Sequence, residues 1–95
     1  MAITRLNYFT AKPEQCDALA KFLTEVISVV RRAEGCHWCR LLRDEINPVE
    51  FVILESWESI EAHQKAAGMI PKEQISSVMQ FLEKAPHGEH LVANA

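Results

Sequence analysis

The chain has no basic cluster, no long apolar run and no phosphate-binding loop, and each absence removes a class of function. Arg31 and Arg32 are its only adjacent basic residues and its formal net charge is -3, whereas nucleic acid and anionic membranes ask for a concentrated positive patch. Neither partner is expected. Nowhere do about eighteen apolar residues run together as a membrane span requires. The opening MAITRLNYFTAKPE has no apolar stretch of the kind an export signal carries, so a cytoplasmic location is expected. Three cysteines, an odd number, then read as reduced thiols rather than a disulfide framework. There is no dinucleotide fingerprint and no Ser-His-Asp pattern.

Cys36-His37-Trp38-Cys39 is a C-x-x-C, but strand residues three apart face opposite ways, so the two thiols are not expected to act together. His87-Gly88-Glu89-His90 reads as a solvated turn entering a strand. With no ligand cluster of convincing spacing, no metal is expected.

What is present is ordinary globular composition: 48% hydrophobic and 24% charged residues exclude a disordered chain. Ninety-five residues make one domain, 1–95, with one modest core, so a partner that covers more surface would help.

Ile3 to Phe9 reads as a first strand, with Ile3, Leu6 and Tyr8 alternating imperfectly with polar neighbours. Pro13 opens a long helix whose apolar stripe is Leu19, Phe22, Val26, Val29, Val30 and Ala33. Arg31 and Arg32 sit in its last turn, and Gly35 follows as the residue able to take the left-handed conformation. Cys36–Arg43 and Glu50–Trp57 form a hairpin across Asn47-Pro48. Ser59 caps a short helix to about Ala67, stopped by Gly68. Pro71 starts another with Ile75, Val78, Met79 and Leu82 on one stripe. Glu89 to Ala93 is a last strand. The order is β-α-β-β-α-β with a split second helix, an α+β, ferredoxin-like pattern.

In the second hairpin strand, Phe51-Val52-Ile53-Leu54 is apolar at every position, so both faces of the sheet want burial. Helices cover one face only. The other is expected to meet the same face of a second copy, giving a homodimer.

Trp57 ends this strand, where its ring can wall a pocket and its indole N–H can donate to a ligand oxygen. Glu55 shares its face, and Arg40 on the facing strand is its expected ion-pair partner. If Arg40 lies opposite Glu55, Trp38 falls opposite Trp57. His63, about a helical turn further on, is a candidate general base or haem-iron ligand, or else an exposed helix residue.

The stretches RRAEGCHWCRLLRD and FVILESWESIEAH together resemble the antibiotic biosynthesis monooxygenase (ABM) family of dimeric α+β barrel proteins. The resemblance spans most of the chain and is carried by Glu34-Gly35, the strands either side of the hairpin loop, and Glu55-Ser56-Trp57-Glu58-Ser59. It implies a pocket between sheet and helices in each of two subunits packed sheet to sheet. Family members often have an aromatic near Cys39 and a histidine nine residues after the tryptophan. Here that second position is Ala66, unless a lost helical turn makes His63 the equivalent.

The family resemblance implies a cofactor-independent monooxygenase using O₂ on a quinol-like or other small aromatic molecule. Trp57, Trp38, Glu55 and Arg40 would bind substrate, His63 would take the proton, and Asn7 would hydrogen-bond the oxygen. The alternatives are a dimer that binds a small ligand or haem without turnover, and a haem-degrading enzyme with His63 on the iron.

Overall fold

The computed structural model describes residues 2–94. The elements are β1 (Ile3–Thr10), a 3-10 turn at Pro13–Gln15, α1 (Cys16–Val30), β2 (Cys36–Arg43), β3 (Glu50–Trp57), α2 (Ile60–Ala67), α3 (Lys72–Met79) and β4 (His87–Leu91). The four strands form one antiparallel sheet in the order β2-β3-β1-β4, which is the ferredoxin-like arrangement, and the second helix is split into α2 and α3. Among the described residues no helix is long and apolar enough to cross a membrane.

Both hairpin strands have the bounds their sequence predicts, because the turn residues from Asp44 to Pro48 between them are strong local signals. The loop is pinned by Asp44, whose carboxylate accepts from the backbone of Ile46 and Asn47 at 2.8 Å each and is held below the usual carboxylate range by those bonds. Strand β4 begins at His87, two residues before the sequence-based start, so His87-Gly88-Glu89-His90 is strand and not turn. Pairing with β1 along Tyr8–Thr4 extends it.

Helix α1 ends at Val30, so Arg31 is its C-cap rather than part of its last turn. Gly35 follows at φ 87°, where side-chain-bearing residues are strained. A Cβ there would also lie 2.7 Å from the Cβ of Ala62 in α2, and its carbonyl accepts from the Glu58 N–H at 2.8 Å. The turn therefore sets how closely α2 approaches the sheet. Ser59 caps α2 by accepting from the Ala62 N–H.

The core lies between the sheet and the helices. Leu19, Leu23 and Ile27 of α1 pack on Phe9, Phe51, Ile53 and Cys39, with Val78 and Leu82 closing one end. Two of those α1 residues lie outside the stripe expected from the sequence. Phe22, Val26, Val29, Val30 and Ala33 face a cavity instead, and α1 is thus apolar over two adjacent stripes.

On the other side of the sheet, Leu6, Tyr8, Val52, Leu54, Trp38 and Leu42 occupy the alternate strand positions, with Leu6 opposite Leu54 and Tyr8 and Leu42 both opposite Val52. Tyr8 stacks on His87 at 4.8 Å between ring centroids. Its phase corrects the first-strand reading: Ile3, Arg5, Asn7 and Phe9 point toward the helices, and Leu6 and Tyr8 point away.

Candidate active site

A cavity of about 290 Å³ lies between the sheet and the helices. Its walls are mostly aliphatic and aromatic, from Phe9, Phe22, Val26, Ile53, Trp57 and Val78. Polar groups come from Arg5 and Asn7 on β1, Glu55 on β3, His63 on α2 and Gln74 near the start of α3. A small apolar cavity with a few convergent polar groups has the make-up of a ligand site. The exposed side chains of Val29 and Ile75 stand at its border. A shallower hollow lined by Val29, Arg32, Met69 and Gln74 adjoins it, so the cavity reaches the surface between α1 and the α2–α3 pair.

Register explains why these residues meet. Alternate residues of β1 and β3 face the helices, so Arg5 lies beside Glu55 and Asn7 beside Ile53. On the other side of β1, His90 lies beside Arg5 and Gly88 beside Asn7. Glu55, Arg5 and His90 therefore form one row across three strands, with His63 of α2 over it. Trp57, 1% exposed, packs edge-on against His63 at 5.4 Å between ring centroids.

Glu55 is 6% exposed and accepts the indole N–H of Trp57 at 2.6 Å. Burial raises its pKa, and the Trp57 bond and the Arg5 charge offset part of that rise. The Trp57 N–H is thereby committed to protein, contrary to the expectation that it would serve a ligand.

His63 Nδ1 and His90 Nε2 share a 2.8 Å hydrogen bond whose direction depends on tautomer. Burial, then the charges of Arg5 and His90, hold His63 down to about 4, so it is neutral near pH 7. Burial and Arg5 lower His90 as well.

Two expected site residues are elsewhere. Arg40 lies opposite Leu54, and Cys39, not Arg40, is opposite Glu55. Trp38 lies opposite Ser56, is 41% exposed and sits under the Arg40 guanidinium at 5.5 Å, on the face away from the cavity. The expected register is one residue out, and a one-residue slip exchanges the faces of a strand. Glu55 has Trp57 as its partner rather than Arg40.

A bulge between Cys36 and Trp38 also changes the phase of β2. Cys36 faces Trp57 and Cys39 faces Glu55, so both thiols pack toward the core on one face, contrary to the simple alternation of a strand. Both are free, and burial pushes Cys39 up to about 12. A thiol so held is poorly nucleophilic. No group of three or more His, Cys, Asp or Glu among the described residues is placed to hold a metal ion.

Sequence reasoning singled out Trp57, Glu55, His63 and Asn7, all of which line the cavity, and so does Ala66. It missed Arg5, Gln74 and the role of His90. The signal for Arg5 is period-two spacing: Ile3, Arg5, Asn7 and Phe9 put an arginine and an asparagine on a face that is otherwise apolar.

A family model described as antibiotic biosynthesis monooxygenase matches residues 2–68. No curated protein matches the chain. Among solved structures, a protein of Mycobacterium tuberculosis is 21% identical, with a TM-score of 0.87 over 100% of this chain and 97% of that one. A Pseudomonas aeruginosa protein is also 21% identical, with a TM-score of 0.87 over 99% and 95%. A mutant of SnoaB, a cofactor-independent oxygenase from Streptomyces nogalater, is 16% identical, with a TM-score of 0.84 over 99% and 94%. At such identities the likeness to these structures concerns the fold.

Proposed function

The chain belongs to the antibiotic biosynthesis monooxygenase family, and from that premise we propose that it oxygenates a quinol-like or other electron-rich aromatic molecule without a cofactor. The observation that carries this reading is the meeting of a neutral imidazole, His63, with the apolar cavity at Trp57. The fold likeness to a cofactor-independent oxygenase supports it further.

The chemistry asks little of the protein. Once the phenolic proton is lost, the electron-rich ring itself passes electrons to O₂. One oxygen atom stays on the ring as a carbonyl, and the other leaves as water. The site must hold the ring, take the proton and keep water out. In this reading Trp57, Phe22 and Val26 hold the ring, and His63 takes the proton. The bond to His90, which lies nearer the surface on β4, gives that proton a way out. Asn7 hydrogen-bonds the oxygen.

We also propose that the working form is a homodimer through the sheet face bearing Leu6, Tyr8, Val52 and Leu54, the face that no helix among the described residues covers. Trp38 and Arg40 then belong to the interface and not to the substrate site.

Oxygen uptake in the presence of a reduced naphthoquinone tests the function. The wild type is expected to accelerate it, and His63→Ala to lower the rate about a hundredfold or more, the range for loss of a general base. An activity that His63→Ala leaves intact would remove His63 from the mechanism. No acceleration, with a quinol that binds, would leave a binding protein in place of an enzyme. A parallel absorbance titration with haemin separates the haem readings.

A further inference from the structure

The polar end of the cavity carries a charge that the protein does not settle. Arg5 lines the cavity from the middle of the row Glu55–Arg5–His90, and its guanidinium is permanently charged. Its Nε is buried with no hydrogen-bond partner among the described residues. An unsatisfied donor on a charged group is costly, and native proteins keep such groups mainly where something else satisfies them.

The neighbours offset it only in part. His63 and His90 are both pushed toward the neutral form, by burial first and then by the positive charge of Arg5. Among the described residues Glu55 is the only acid lining the cavity, but its Oε1 is taken by Trp57 at 2.6 Å and burial works against its charge. Gly88 lies across from Asn7 with no side chain, and a Cβ built there would collide with the Arg5 guanidinium. The absence of a side chain at Gly88 is what lets the arginine lie along the sheet.

We propose that the cavity binds an aromatic oxyanion, with its negative oxygen held by the Arg5 guanidinium and its ring against Trp57 and the α1 wall. The proposal names the substrate class of the oxygenase reading and rests on the same cavity. It also resolves a difficulty in that reading. An imidazole held as low as His63 is a weak proton acceptor towards a phenol, whereas a guanidinium beside the oxygen lowers the cost of the phenolate. An anion bound there would at the same time favour the protonated form of His63.

Calorimetric titration at pH 7 with 2-naphthoate and with 2-naphthamide tests this, since the pair shares one ring system and differs in charge. Wild type is expected to bind the naphthoate about tenfold tighter or more, the difference a charge-assisted pair makes over a neutral one. Arg5→Met should abolish the preference. Arg5→Lys should keep part of it, because it retains charge but lacks the planar fork. Equal binding of the two by wild type, a preference that survives in Arg5→Met, or no naphthoate binding at millimolar concentration would each overturn the proposal. Circular dichroism checks that the variants fold. If Arg5→Met does not, the wild-type comparison and Arg5→Lys still decide. Because binding is read without turnover, an anion preference in a protein inactive with quinols would leave this proposal standing and remove the oxygenase. Turnover without an anion preference would do the reverse.

Discussion

The Trp57 indole donates to the Glu55 carboxylate two residues earlier on the same strand, at 2.6 Å, with both side chains buried. Residues at i and i+2 on a strand share a face, so the cavity wall supplies the partner for its own buried acid. Glu55 thus needs no ion pair across the hairpin, and Trp57 offers a ligand its ring rather than its N–H.

Trp57→Phe should therefore act mainly on stability. It leaves a buried carboxyl without its donor, at a cost of about 1–3 kcal/mol, in addition to the lost packing. Combining it with Glu55→Leu should recover part of that loss, because an unpaired buried polar group is worse than an apolar pair. Urea unfolding of the two variants measures this. A double variant no more stable than Trp57→Phe would show that packing alone is at stake.

Acid should weaken the fold through His63. Its folded pKa of about 4 lies below the ordinary histidine value of 6.5, so the unfolded chain binds the extra proton first. The associated stability is present above about pH 6.5 and is lost as pH falls toward 4. Arg5, His90 and Trp57 are set around the ring, and His90 is held down as well, so His63→Gln should flatten the fall without abolishing it, while Glu55, whose folded pKa is raised, works in the opposite direction. Thermal midpoints measured from pH 7.5 down to pH 4 check the slope. Identical slopes in the two proteins would contradict the burial of His63.

Gly35→Ala should destabilise by about 1 kcal/mol or more from the positive φ alone. The contact with Ala62 adds to this and moves α2, which carries His63. Ligand affinity should fall along with the unfolding midpoint. A variant with wild-type affinity and stability would mean that the turn and α2 adapt freely.

Light scattering at micromolar concentration should give a dimer mass. Val52→Asp, which sets a charge in the middle of the open sheet face, should give monomer or unfolded chain. A wild-type monomer with a cooperative unfolding transition would sink the sheet-to-sheet packing.

The family stretches, the element types and most of their limits were legible because they rest on local chemistry. Gly35 is where the backbone turns left-handed, Ser59 is a cap, and the two hairpin strands agree with expectation to the residue. Trp57, Glu55 and His63 were legible as a group because a strand end and the helix after it bring them close in sequence, whereas Asn7 came only with the family resemblance.

Pairing across strands was not. The bulge between Cys36 and Trp38 and a register one residue from the expected one move Trp38 and Arg40 away from the cavity and bring Cys36 and Cys39 to one face. Neither the composition nor the spacing of β2 records that choice. It goes with the burial of Cys39 opposite Glu55, and period-two geometry then exchanges every face at once. Arg5 and His90 are 85 residues apart in numbering, and only the pairing of β4 with β1 makes them neighbours. The sequence alone determined which segments are strands and helices and which stripes are apolar. The tertiary structure decided which polar residues share the cavity, because that depends on long-range backbone hydrogen bonding, which single-chain periodicity does not encode.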